Sequence, residues 1–217
     1  SVVINGYEIT SGVDLSYADL RNVDLSGLDL TGVNFFRANL SGADLTGARL
    51  EEANLTGVDF KGAILKDASF HRADLTDVKL RDFDLKPAEA GDRNWNRLYM
   101  GEAKLSGADW TGFDSADLVD LRQADLRDVD LSGLDLSGGY LYRADLSGVD
   151  LSGADLTGTN LDEANLTGTN LEGTTLKDAS FSKVDLTEID LSGRSLTSVN
   201  FYRANLSGVD LSGADLT

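Results

Sequence analysis

From Val13 onward an aliphatic residue or a phenylalanine returns at every fifth position. The series runs Leu15, Leu20, Leu25, Leu30, Phe35, Leu40, Leu45, Leu50, Leu55 and Phe60, then Leu65, Phe70, Leu75, Leu80 and Leu85. Two residues before each stands a smaller apolar residue, as at Val13, Ala18, Val23, Leu28, Val33, Ala38, Ala43 and Ala48. Asp or Asn usually lies between the two, and Ser/Thr-Gly commonly follows, so the unit is (Ala/Val)-(Asp/Asn)-(Leu/Phe)-(Ser/Thr)-Gly. A helix needs apolar spacings of three and four, and a long strand needs strict alternation. A period of five satisfies neither. Within one unit alternation does hold: the small residue and the Leu share one side while the Asp points away. A very short strand followed by a Gly-containing turn can bury its Leu only if the chain curls around it. Coils of this kind stack about 4.8 Å apart and hydrogen-bond to their neighbours.

This unit resembles that of the pentapeptide-repeat family, and the match extends over residues 13–85 and 119–217. The resemblance implies an all-β fold, a right-handed quadrilateral β-helix with four units per coil, so that residues twenty apart stack. On that arithmetic Leu121, Leu141, Leu161, Phe181 and Phe201 form one interior column, with the phenylalanines adjacent. Gln123, Arg143, Glu163, Lys183 and Arg203 run outside the same edge, Glu163 between two cations, and Glu52 lies beneath Arg72.

Departures from the repeat divide the chain, read as a single domain over 1–217, into a cap (1–12), a first tract (13–85), an irregular segment (86–118) and a second tract (119–217). Val2-Val-Ile-Asn-Gly-Tyr-Glu-Ile reads as a small hairpin with an Asn-Gly turn, a lid on the first coil. Residues 86–100 read as a protrusion, because Arg93 and Trp95 fall where a narrow coil wants a small residue and a Leu. Asp92 is placed to cap a short helix with Trp95, Leu98 and Tyr99 on one face. That face either folds back on the coil or forms a recognition loop anchored by Arg93, Trp95, Arg97 and Tyr99, residue types enriched at binding hot spots. The phase then slips by one residue between Trp110 and Leu121, as a bulge or widened turn would allow. Arg21-Asn-Val-Asp-Leu-Ser-Gly-Leu-Asp-Leu reappears as Arg127-Asp-Val-Asp-Leu-Ser-Gly-Leu-Asp-Leu, which points to duplication. The repeat runs to Thr217 without a cap, so a homodimer through that coil, or a longer native chain, is expected to cover it.

Composition narrows the function. With 41% apolar but only 7% aromatic residues, the core is thin and aliphatic. The absence of cysteine excludes disulfides and thiolate metal sites, and one histidine, His71, makes neither a zinc site nor a triad unaided. His71 is expected on the surface, near Glu51 one coil away. No apolar run is long enough for a membrane span or signal core, so no membrane partner is expected and a cytoplasmic location is favoured. A formal charge of −18 repels nucleic acid and attracts basic partners. The aspartates project outward in rows such as Asp130, Asp150, Asp190 and Asp210, without the cleft or converging oxygens that catalysis or calcium would need. No enzyme activity, cofactor or metal is expected. The expectation is a stiff scaffold, about nine coils and on the order of 45 Å long, that binds an unidentified protein. Some relatives resemble duplex DNA in width and acidity and act on type II topoisomerases, inhibiting them or protecting them from quinolones. The resemblance therefore implies a second reading, an acidic DNA mimic with a topoisomerase partner.

Overall fold

The computed structural model describes residues 2–80, 98–111, 113 and 119–217. Strand β1 (Val2–Ile4) pairs antiparallel with β2 (Tyr7–Ile9), Val2 opposite Ile9. Asn5 and Gly6 form the turn with φ of 50° and 83°, the doubly positive pair that matches hairpin twist. Ile9 is buried, and Ile4 and Tyr7 pack partly against the core.

The rest is a β-helix solenoid, and among the described residues there is no α-helix. Each coil joins the next through parallel bridges twenty residues apart. Asp14 pairs with Asn34, Asn34 with Asn54 and Asn54 with Asp74, and three further rows start at Asp19, Asp24 and Asp29. Every bridge is backbone: Leu15 N–H donates to the Asn34 carbonyl at 2.7 Å, and Asn34 N–H to the Val13 carbonyl at 2.9 Å. The fifth-position residues point inward and are buried throughout most of the rod, each Leu contributing about 1.5–3 kcal/mol. Phe181 and Phe201 stack in the expected column, with centroids 6.0 Å apart and planes 14° apart.

The Asp or Asn of each unit holds the turn that follows it. Ser152 N–H donates to Asp150 at 2.9 Å, and Glu172 N–H to Asn170 at 3.0 Å. Asn thus replaces Asp freely, because the turn needs an oxygen acceptor and not a charge. Asn also gains a bond to the preceding coil, as when Asn170 Nδ2 donates to Asp150 at 3.1 Å.

Two steps break the period. Ser69 pairs with Tyr99, Asp74 with Lys104 and Lys79 with Asp109, all thirty residues apart, so ten residues are surplus to the coil. The expected protrusion ends earlier than its sequence suggests. Leu98–Tyr99 is not part of a helical face but a strand, β3, which pairs in parallel with β4 (Val119–Asp120), and Met100 occupies a buried Leu position. The ladder to Ser69 fixes this, since it recruits residues 98–100 as soon as the chain regains the register. Arg93, Trp95, Arg97 and the expected helix start at Asp92 lie outside the described residues. Next, Tyr99 pairs with Asp120 and Lys104 with Asp125, twenty-one apart, so the single extra residue falls between Asp109 and Asp120. Trp110 is buried there at a Leu position, edge-on to Phe113 at 4.9 Å. A coil of this solenoid therefore does hold an indole.

A third irregularity was not foreseen. Among the described residues, Asn165, Asn170 and Thr175 form no bridge to Asp185, Asp190 or Ser195, although Asn160 still pairs with Ser180. Three of the four rows thus lack a bridge at this level, although the Asp178 N–H still donates to the Thr197 carbonyl at 3.0 Å. Arg194 stands there at the small inward position of its unit. Its Nη1 donates to the Leu171 carbonyl at 2.9 Å, and its Nη2 donates to the Thr174 carbonyl at 2.6 Å and to Thr174 Oγ1 at 2.5 Å. Burial pulls the guanidinium pKa below its ordinary value, which marks the cost of this placement. Threonines also replace Ala or Val nearby, and the buried Thr169 hydroxyl donates to the Leu146 carbonyl at 2.9 Å.

Two predictions follow from the ladder and its turns. Arg194→Ala restores the small inward residue, so the rows should close. The thermal midpoint is expected to rise, and the amides of Leu166, Leu171 and Leu176 to gain protection in hydrogen exchange. A lower midpoint with unchanged exchange would mean that the guanidinium bonds outweigh the ladder they displace.

The second concerns pH. Donation from the N–H groups of Ser152, Ser192 and Ser212 holds Asp150, Asp190 and Asp210 below the usual carboxylate range. For a depressed folded-state pKa, the stabilisation is complete above the unfolded value, about 3.9. It is lost as the pH falls through the lower folded values. Melts from neutral to strongly acidic pH should show this fall, with Asp150→Ala destabilised already at pH 7 and Asp150→Asn not.

Candidate functional site

In most rows the turn residue with positive φ is glycine, which adopts that backbone without a Cβ clash. One row abandons it. After Gly12 and Gly32 come Glu52, Arg72, Glu102, Gln123, Arg143, Glu163, Lys183 and Arg203, all with φ between 56° and 60°. A side chain in this conformation costs about 1–2 kcal/mol, so the row carries a strain that glycine would avoid.

The side chains form two short ladders of alternating charge, Glu52–Arg72–Glu102 and Arg143–Glu163–Lys183, separated by the neutral Gln123 and followed by Arg203. Arg72 reaches Glu52 at 3.6 Å and Glu102 at 2.8 Å. Glu163 accepts from Arg143 at 2.6 Å and from Lys183 at 2.9 Å. Hydrogen bonds from Lys183 and then Arg143 lower the Glu163 pKa, and Glu163 in turn raises those of both cations. The pairs are exposed and individually weak in salt. Aromatic residues stand one position earlier: the Arg143 guanidinium lies 5.1 Å from the Tyr142 ring centroid, and that of Arg203 5.4 Å from Tyr202. The contrast with other rows is plain, since Asp130 stacks on Asp150 and Asp135 on Asp155 with no cation between them.

Beside this row, where the thirty- and twenty-one-residue steps meet, lies a groove of about 480 Å³ lined by Glu51, His71, Tyr99, Glu102, Arg122 and Tyr142, among others. Gly101 helps to open it: a Cβ there would sit 3.3 Å from His71 Nδ1. Arg122 is held as a fork on Asp120, with Nε to Oδ1 at 2.8 Å and Nη2 to Oδ2 at 2.5 Å. This fork raises the Arg122 pKa. His71 Nε2 lies 3.9 Å from Glu102 Oε1, so its acidic neighbour is on the following coil, although Glu51 shares the groove.

Of the four loop anchors expected from sequence, only Tyr99 falls within the described residues. It sits in the coil wall, 46% exposed, and lines the groove. Glu51 was expected only as a neighbour of His71, and Arg122 and Tyr142 were not singled out, because no twenty-residue count brings 51 and 71 beside 122 and 142. The signal that could have found them is Met100, an apolar centre from which the next coil can be counted.

Among the described residues, no group of three or more His, Asp or Glu could hold a metal ion, and no helix is long and apolar enough to cross a membrane.

Similarity to known proteins agrees with this architecture. No curated protein matches the chain. Among solved structures, HetL, a pentapeptide repeat protein involved in heterocyst differentiation regulation from the cyanobacterium Nostoc sp. strain PCC 7120, is 28% identical. That alignment covers 94% of this chain and 89% of HetL, with a TM-score of 0.55. A trypsin-treated form of QnrB1, a plasmid-mediated fluoroquinolone resistance protein, matches at 21% identity over 92% of this chain and 90% of its own, TM-score 0.35. Rfr23 from the cyanobacterium Cyanothece 51142 matches at 21% identity over 83% and 89%, TM-score 0.24. The family model for pentapeptide repeats matches eight copies, at residues 14–51, 43–82, 99–141, 140–178, 154–193 and 179–217. With its coil-to-coil ladder and inward Leu rows, the chain belongs to the pentapeptide-repeat family.

Proposed function

We propose that the protein is a non-catalytic, rigid protein-interaction module, a right-handed four-sided rod that docks a partner along the turn row from Glu52 to Arg203. The observation that carries this reading is the row itself. Eight consecutive turns give up glycine for long side chains, six of which pair along the row, and Tyr142 and Tyr202 stand beside them. Tyr and Arg are the residue types from which interface hot spots are built. A stacked rod loses little freedom on binding, so few such contacts suffice. The involvement of HetL in heterocyst differentiation regulation is consistent with a protein that works through partners.

The aspartate rows support a second reading, the acidic DNA mimic with a type II topoisomerase as partner. Photo-crosslinking residues placed at Tyr142 and, separately, at Asp150 distinguish the two in the host cell. Crosslinks from Tyr142 alone support the turn row, and crosslinks from Asp150 alone overturn it. For the second reading, a gyrase supercoiling assay with and without a fluoroquinolone should show inhibition or drug protection at micromolar protein. Unchanged gyrase activity at large excess excludes this enzyme as the target.

A further inference from the structure

We propose that the groove between Tyr99 and Tyr142 receives one basic side chain, an arginine or a lysine, of the docked protein, with Glu51 as its counter-charge. The inference rests on the interaction-module reading and names the chemistry of one anchor within it.

The carboxylates of the groove are unequally engaged. Glu102 is held by Arg72 at 2.8 Å, with His71 at 3.9 Å, and Asp120 is forked by Arg122 through both oxygens. Glu51 has only the Nε of Arg49 at 3.7 Å, too far for a hydrogen bond. Its Oε2 is buried without any hydrogen-bond partner. A carboxylate oxygen removed from water and left unpaired is costly, and such a group calls for a donor. Among the described residues, the neighbouring coils do not supply that donor.

The shape and charge of the groove select the class of donor. An anion would meet Glu51, Glu102 and Asp120 together. A purely apolar group would leave Glu51 as it is. A guanidinium or ammonium pairs with the Glu51 carboxylate once that side chain turns its oxygens into the groove, and it brings an aliphatic stem that packs against tyrosine. The chain already makes such a contact in the same place, since the Arg143 guanidinium lies over the Tyr142 ring. Gly101 leaves between His71 and Arg122 the space that a side chain in its place would crowd. The formal charge of −18 draws a basic partner in from a distance, and the groove gives it a defined point of contact.

The test is an NMR titration of the whole chain with Nα-acetyl-arginine amide as probe. Nα-acetyl-citrulline amide, similar in shape but uncharged, is the control ligand. Saturable shifts are expected on the ring protons of Tyr99 and Tyr142, with none from the citrulline compound. Glu51→Gln should weaken the arginine probe about tenfold, the scale of one charge-assisted contact, while Asp150→Asn, an equal charge change elsewhere, should not. Backbone amide shifts of the ladder confirm that each variant is folded. Equal weakening by the two variants, equal binding of citrulline, or no saturable shift overturns the proposal. It can fail by itself: a partner that crosslinks at Tyr142 but binds Glu51→Gln as tightly as the parent leaves the docking row standing and removes the groove from it.

Discussion

The backbone hydrogen bonds between successive coils depend on chain length in a way that side-chain packing does not. A residue finds its partner only if the intervening chain closes one full circuit, and here that circuit is twenty residues wherever the repeat is regular. The constraint acts in both directions. It aligns the inward Leu and Phe into rows, because the residue next to each bridge must point to the axis. It also makes surplus chain conspicuous, since ten extra residues cannot be spread over neighbouring coils and must be shed between two bridges that still pair, Lys79–Asp109 and Ser69–Tyr99. A single extra residue is absorbed differently. It falls between Asp109 and Asp120, beside the site where Trp110 replaces the usual Leu and Phe113 the usual small residue.

The turns supply the second constraint, and it is softer. Nearly every one has a residue with positive φ, and most have an oxygen acceptor two residues upstream of a backbone N–H, which units centred on Arg49, Ile64 or Lys104 do without. Glycine and aspartate are the simplest solution, and their repetition accounts for much of the acidity. Neither is obligatory. Asn serves as acceptor at Asn34, Asn39, Asn54 and Asn170, and charged residues occupy the strained turn along a whole row. Other rows carry scattered replacements such as Tyr17, Arg37, Asp77 and Asp128, so what is informative is the unbroken run from Glu52 to Arg203 in a single row. Stacked side chains from successive coils can compensate one another by pairing, which isolated replacements scattered over four rows could not do.

Much of this was legible in the sequence because the period is short and its exceptions few. Phe181 over Phe201, Glu163 between Arg143 and Lys183, and Glu52 beside Arg72 follow from counting in twenties. Counting fails across the irregular segment, where the offset becomes thirty and then twenty-one. For that reason Tyr99 looked like part of a protruding face when it belongs to the coil wall, and the groove it shares with Glu51, Arg122 and Tyr142 stayed hidden. Arg194 shows a different limit. Its misfit at an inward position can be read from the unit, but its consequence depends on whether the coil yields or the side chain does. At that level three rows lack a bridge and the guanidinium bonds the carbonyls of the preceding coil.

Charge and contact divide the surface into two roles with different ranges. At physiological ionic strength an exposed charge is felt over about 8 Å, so on the interaction-module reading the aspartate rows act on the approach of a partner and on its rate. They discriminate poorly once contact is made, because every coil presents much the same carboxylates and a partner could slide from one level to the next. The turn row has the opposite character. Its paired charges nearly cancel at a distance, yet Arg122, Tyr142, Arg143 and Tyr202 differ from coil to coil and so define a position along the rod. Register is the one quantity that a highly repetitive scaffold cannot specify by repetition. On the interaction-module reading, the place where this chain breaks its own period, with Tyr99, Arg122 and Tyr142 around one groove, supplies a distinct level.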